Sequence, residues 1–163
     1  MDYRVEVFWR AREPEGRARN LLADIAGLGV TGVEEVRISD LYFLRGALSE
    51  ADVECLCQEL LVDHVVQGYR WEVLRGGNIP PDGRGRGGEG LSARRIWAIE
   101  VGLHPGVTDS VAGHLLRGAR VLGIVGLQDA ATATRYELIG TLDEAEVRRI
   151  AEELLCNDVI QFY

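Results

Sequence analysis

From Tyr3 to Trp9 apolar and polar side chains alternate, with Tyr3, Val5, Val7 and Trp9 on one face and Arg4, Glu6 and Phe8 on the other. Period two in β-branched and aromatic residues predicts a strand. Pro14 suits the first turn of a helix, where its missing N–H costs nothing. Ala18, Leu21, Leu22, Ile25 and Leu28 then recur at helical spacing, an apolar stripe for one side of a sheet. Gly29 is the expected stop, since it takes positive φ without a Cβ clash. Val33 to Ile38 alternates again, Ser39-Asp40 offers a turn, and Leu41 to Gly46 supplies a returning strand. Ser49 with Asp52 is a near-match to a capping box, and Val53, Leu56, Cys57, Leu60 and Leu61 trace the face of a second helix. Val65 to Leu74 closes the unit as a last strand.

The chain then repeats itself. Tyr42–Tyr69 and Tyr136–Tyr163 align without a gap at a constant offset of 94 (Tyr136 minus Tyr42), and the offset carries upstream to Glu6-Val7 and Glu100-Val101. About 21 of roughly 67 aligned positions are identical. In the second copy Ile96 to Leu103 is the first strand and a helix runs to Leu122. Asp143 with Glu146 is the second capping pair, followed by Val147, Ile150, Ala151, Leu154 and Leu155 as the apolar face. A period this long means two whole small domains rather than a solenoid. Each unit reads β-α-β-β-α-β, the ferredoxin-like order of a split βαβ motif. The expected organisation is therefore α+β, with residues 1–74 and 95–163 as tandem units joined by a flexible linker over 75–94. Units this small have thin cores, so the two are expected to lean on each other around a pseudo-two-fold axis, a pseudo-dimer within one chain that is free to form a further homo-oligomer. The second copy's last strand is short. Either the strand is clipped there, or these residues are the front piece of a longer polypeptide.

The linker is dense in glycine, proline and arginine. It contains Gly85, Gly87 and Gly90 in a GxGxxG spacing, but Pro80-Pro81 precede it and a strand follows, which is the wrong setting for a dinucleotide fingerprint. A formal net charge of −8 repels nucleic acid and anionic membrane, so neither is an expected partner. All 18 basic residues are arginine, which excludes a Schiff-base lysine and a P-loop lysine. Three cysteines (Cys55, Cys57 and Cys156) without CxxC spacing read as reduced thiols, and no apolar run approaches the ~20 residues of a membrane span, so the expectation is a soluble, cytoplasmic protein.

Candidate chemistry is sparse. His64, His104 and His114 align with Asp158, Arg10 and Asn20, which are polar surface types, and share no metal-ligand spacing. Cys57 aligns with Ala151 on a buried stripe, whereas Cys55 aligns with Arg149 and is expected to be exposed. The start of the helix at Pro105–Ser110 offers free N–H groups, and Asp109 is placed to cap them. No catalytic residue, cofactor or metal site is predicted.

The run His104-Pro105-Gly106-Val107-Thr108-Asp109, with Leu115-Leu116, Leu122-Gly123-Ile124, Tyr136-Glu137-Leu138 and the Glu152…Asn157-Asp158-Val159-Ile160 ending, resembles the PurS family. That family is the small subunit of phosphoribosylformylglycinamidine synthase, a glutamine-dependent, ATP-consuming ligase of purine biosynthesis. The second copy matches the motif order nearly throughout. The first matches at Leu28-Gly29, Val33–Ile38 and Glu59–Tyr69, but reads Arg12–Gly16 in place of the PGV motif. The resemblance implies a non-catalytic scaffold that holds a synthetase (PurL-type) against a glutaminase (PurQ-type) subunit and helps ammonia pass between them. It places a partner interface at His104, Pro105, Gly106, Val107, Thr108 and Asp109, and makes the duplication a dimer fused into one chain. The alternative reading is a regulatory amino-acid-binding module of the ferredoxin-like type, with Gly29-Val30 and Gly123-Ile124 as its place.

Overall fold

The computed structural model describes residues 2–11, 15–74 and 94–163. The proposed linker, with its GxGxxG run, lies outside the described residues except for Arg94, whose guanidinium pairs with Glu34 (3.1 Å) and Glu35 (3.7 Å). The elements are β1 (Asp2–Trp9), α1 (Gly16–Gly27), β2 (Val33–Gly46), α2 (Glu50–Leu56, continued by a π-helical turn over Cys57–Leu61) and β3 (Gln67–Leu74). They recur as β4 (Arg95–Leu103), α3 (Ser110–Val121), β5 (Leu127–Gly140), α4 (Glu144–Ile150, with a π turn over Ala151–Leu155) and β6 (Gln161–Phe162). The result is an α+β protein with one antiparallel six-stranded sheet, order β3-β1-β2-β5-β4-β6, compatible with a ferredoxin-like fold.

One expectation is corrected. No hairpin forms at Ser39-Asp40; β2 runs unbroken for 14 residues, so each half reads β-α-β-α-β. The reason is long-range. Asp40 pairs with Val7 of β1 on one side and Thr134 of β5 on the other, and Ser39 with Phe8 and Arg135. Both ladders of the central strand are filled, which outweighs the local turn preference of Ser and Asp.

The β2–β5 ladder is the centre of the molecule. Through most of its length paired residues sum to 174 (Val36 with Leu138, Ile38 with Tyr136, Arg45 with Asp129), so Asp40 faces Thr134, the residue 94 positions further on. The ladder therefore closes on itself about that pair. At its two ends the backbones come very close: Ala47 N–H donates to Gly126 O (2.9 Å) and Thr141 N–H to Gly32 O (2.8 Å). Gly46 (φ +152°) and Gly140 (φ +159°) sit there, where a Cβ would stand 2.1 and 2.0 Å from the carbonyl oxygens of Gly126 and Gly32.

Among the described residues the four helices lie on one face of the sheet, over two hydrophobic cores, and neither core belongs to one half. In the first, Ala18, Leu21 and Ile25 of α1 pack with Ile99 and Val101 of β4 and with Val147 and Ile150 of α4. In the second, Leu115 and Ala119 of α3 pack with Tyr3, Val5 and Val7 of β1 and with Val53, Leu56 and Cys57 of α2. Both expected capping boxes form, Ser49 with Asp52 and Asp143 with Glu146. The second helices depart from simple helical period at their ends. A π turn inserts one residue per turn, so Leu60, expected on the apolar face, is 40% exposed and lies against Gly118 of α3, while Leu61 is the half-buried one. Val65 is also exposed, and β3 begins at Gln67.

The edges carry a compensated exchange. In the first half Phe8 of β1 lies against Gly68 of β3; in the second, Phe162 of β6 lies against Gly102 of β4. These are the same two positions of the repeat with aromatic and glycine interchanged, so each strand pair keeps one ring over one bare backbone.

Candidate functional site

The β4–α3 loop is built from two anchors and an exposed tip. At one end the His104 N–H donates to Ile160 O (3.0 Å), its ring Nε2 is 3.1 Å from Asp158 O, and the ring lies 5.8 Å from that of Phe162. Val107 N–H returns to His104 O (3.1 Å), closing a turn that places Gly106 at φ +91°. At the other end Asp109 is the N-cap of α3, accepting from Ala112 N–H (2.9 Å), and its second oxygen accepts from the N–H (2.7 Å) and hydroxyl (2.8 Å) of Thr132 on β5. Asp109 thus ties the helix start to the central ladder. Pro105, Gly106 and Thr108 face solvent and Val107 is half-buried, so His104 and Asp109 position the tip that those four residues present.

Beside this loop, between the two cores, runs a polar seam on the helix side of β2 and β5. The guanidinium of Arg17 is bidentate on Asp40 (2.8 and 3.0 Å) and also bonds Glu15. The Asp40 hydrogen bond is the main reason its pKa rises above the ordinary arginine value, against the effect of burial. Tyr42 and its repeat counterpart Tyr136 flank the pair, and burial pushes both phenols above the usual tyrosine range. Asp40 adds to the shift at Tyr42, whereas Arg17 opposes it at Tyr136. Phenols held protonated and a guanidinium already saturated by carboxylates fix geometry; they do not move protons at neutral pH.

The helix-free face carries a second charged network. Arg4 bonds Glu72 (3.3 Å) and reaches Glu100, which also accepts from Arg135 (2.8 Å); Arg135 continues to Glu137 (3.1 Å). Arg4 and Glu100 stand on strands three spacings apart, about 14 Å, so their side chains meet by lying along β2 and β5. Leu41 of β2, which pairs with Glu6 of β1 and Ala133 of β5, is fully buried. Burial disfavours the charge of Arg135, and the bonds to Glu100 and Glu137 outweigh it, leaving its pKa raised. Glu6, nearly buried, is held by Arg70 (2.8 and 3.0 Å), which also lies over the Phe8 ring. A cleft of about 340 Å³ opens here, lined by Arg4, Glu6, Arg70, Trp71, Glu72 and Arg135.

Of the three histidines, His64 and His114 are exposed, as their repeat partners indicated. The Cys57 thiol is fully buried and desolvation pushes it up to about 12, the opposite of an activated nucleophile; Cys55, expected at the surface, is half-buried against the second core. Gly29 and Gly123 take positive φ and end the first helices, and Val30 and Ile124 after them are buried in the two cores. Among the described residues no group of three or more His, Cys, Asp or Glu is arranged to hold a metal ion, and no helix is long and apolar enough to cross a membrane.

A region spanning β1 to β3 carries a family signature. Residues 2–75 match the PurS family. The matching family is described as phosphoribosylformylglycinamidine (FGAM) synthase. The PurS match falls on the first half, which lacks the PGV motif, and takes in β3 as the strand that completes that half. The match covers 74 residues (2–75) of the 163. No curated protein matches the chain.

Proposed function

We propose that this chain is a PurS-type scaffold of phosphoribosylformylglycinamidine synthase in which the dimer is fused into one polypeptide, as a separate subunit or as the N-terminal region of a larger one. The observation that carries the reading is the pair of shared cores, joined to the PurS match of residues 2–75. Each helix of the first half packs on strands of its own half and also on elements of the second, which is how two protomers of an obligate dimer would be related. The halves 1–74 and 95–163 are then the former protomers and 75–94 the tether; a tether turns bimolecular docking into an intramolecular step at high effective concentration.

The role is assembly, without catalysis by the chain itself: it joins a synthetase to a glutaminase and keeps ammonia on its way between them. The side chains fit that role, since Arg17, Arg70 and Arg135 pair with Asp40, Glu6 and Glu100 of the same chain and the buried thiol is inert. We assign partner contact to the tip at Pro105–Thr108, with His104 and Asp109 as its anchors.

Reconstitution tests the reading. Mixed with the synthetase and glutaminase of the same pathway, the chain is expected to support glutamine-dependent synthesis and to leave ammonia-dependent synthesis unchanged, because a scaffold aligns active sites without touching either transition state. Equal glutamine-dependent rates with and without the chain would remove the proposal.

A further inference from the structure

A symmetric dimer meets itself at its two-fold axis: whatever stands there stands there twice. In this chain the β2–β5 ladder closes about the Asp40–Thr134 pair, where the two halves hold different residues. Paired residues sum to 174 and the repeat offset is 94. Two first halves joined in the same register would pair residues summing to 80 (174 minus 94), so Asp40 would face Asp40. Two second halves would pair residues summing to 268 (174 plus 94), so Thr134 would face Thr134. Residues directly opposite in an antiparallel pair stand about 4.5–5.5 Å apart at Cα. Two carboxylates held there repel each other, whereas two threonines do not.

The residue that lies over this point repeats the contrast. Arg17 of α1 holds both oxygens of Asp40 (2.8 and 3.0 Å). It also stands close enough to Tyr136 of the other half to oppose the rise that burial causes in that phenol's pKa. The repeat counterpart of Arg17 is Val111 (111 minus 17 is 94), uncharged and 49% exposed. One guanidinium and one carboxylate thus share the axis with a valine and a threonine. Two first halves would bring two of each into that space, with two copies of Glu15 beside them.

The rim of the ladder makes no such choice. Arg45 faces Asp129 here and would face Glu35 in a pair of first halves (45 plus 35 is 80), so its neighbour is acidic either way. Arg45 and Asp129 are exposed, and an exposed pair contributes little. Discrimination therefore belongs to the axis.

We infer that Asp40 and Arg17 select the partner of β2. They admit a half that carries small uncharged residues at the axis, as Thr134 and Val111 do, and disfavour a second copy of the first half. The surface concerned is the inner edge of β2 with the start of α1, and the partner it fits is the second half of this chain. The inference rests on the ladder register and the repeat, independently of the synthase reading.

Exchange of the halves tests it. Equal amounts of unlabelled and 15N-labelled chain are cut near Gly87 and held together just below the urea midpoint until the two sets of pieces have interchanged. After removal of urea the pairs are weighed by native mass spectrometry. Random association would leave about half of the pairs mixed, one first half with one second half; about hundredfold discrimination against paired first halves leaves about nine-tenths mixed. The second figure is the expected one. Arg17→Val with Asp40→Thr gives the first half the axis residues of the second, and is expected to raise the share of paired first halves about fivefold. The converse exchange, Val111→Arg with Thr134→Asp, is expected to raise the share of homodimers in the same way. An interface that was merely weakened would lose all pairs alike and leave the shares unmoved. Random association in the unaltered chain, or unmoved shares in both variants, overturns the inference.

Discussion

At the scale of single residues, Gly46 and Gly140 carry the tightest requirement. Each has positive φ, and each would drive a Cβ into a backbone carbonyl of the other half, which cannot swing aside as a side chain does. Gly46→Ala or Gly140→Ala is expected to cost about 2–4 kcal/mol, read as a lower urea midpoint with unchanged slope. Glu54 sets a pH dependence. Its carboxylate accepts from Tyr69 and from the Trp71 indole (3.0 Å), and these bonds hold its pKa below the ordinary glutamate value. A depressed folded-state pKa gives stability that is complete above the unfolded value and is lost as pH falls toward the folded one. Glu54→Gln should therefore lower the urea midpoint at about pH 7 and lose that deficit by about pH 3. A deficit equal at both values would show that the charge contributes nothing. The sequence makes some of these residues visible and hides others for a physical reason. Asp109 as a helix cap and Ser49 as a capping box are local patterns within four residues. Arg17 on Asp40 and Asp109 on Thr132 join elements 23 positions apart, and nothing in local period marks them.

At the scale of elements, the same distinction separates what local pattern could and could not place. Strand β1, helices α1 and α3, and both caps follow from period and punctuation. The unbroken β2 does not, because its pairing partner lies in the other half and overrules a Ser-Asp turn signal. The π turns are likewise silent in the sequence, and they decide which leucine matters. Leu56 is fully buried whereas Leu60 is not, so Leu56→Ala is expected to cost about 2–5 kcal/mol and Leu60→Ala about 1 kcal/mol, by chemical denaturation. Equal losses would mean that the helix continues in ordinary α register.

At the scale of the whole molecule, the shared cores make the halves interdependent. Proteolysis near Gly87 is expected to leave the two pieces eluting together on size exclusion, and the uncut chain to melt in a single calorimetric transition. Separation after the cut, or two transitions, would show cores confined to each half. The halves are nonetheless not interchangeable. Leu41 stands where the second copy has Arg135, and Arg4 where it has Ala98. Two identical protomers must show the same surface twice; two halves of one chain are free of that rule and can offer different ends to different neighbours.

Sharing cores also sets a clock on synthesis. Ile25 and Ile150 belong to one cluster and are 125 positions apart (150 minus 25), so α1 leaves the ribosome long before the helix that covers it. At about 5–20 residues per second that is an interval of roughly 6–25 s with an apolar stripe exposed. During it, the most available cover of the right shape is the first half of another nascent chain. Neighbouring ribosomes on one message would thus compete with the chain's own second half, and the pace of translation becomes one of the quantities that decides which molecule forms.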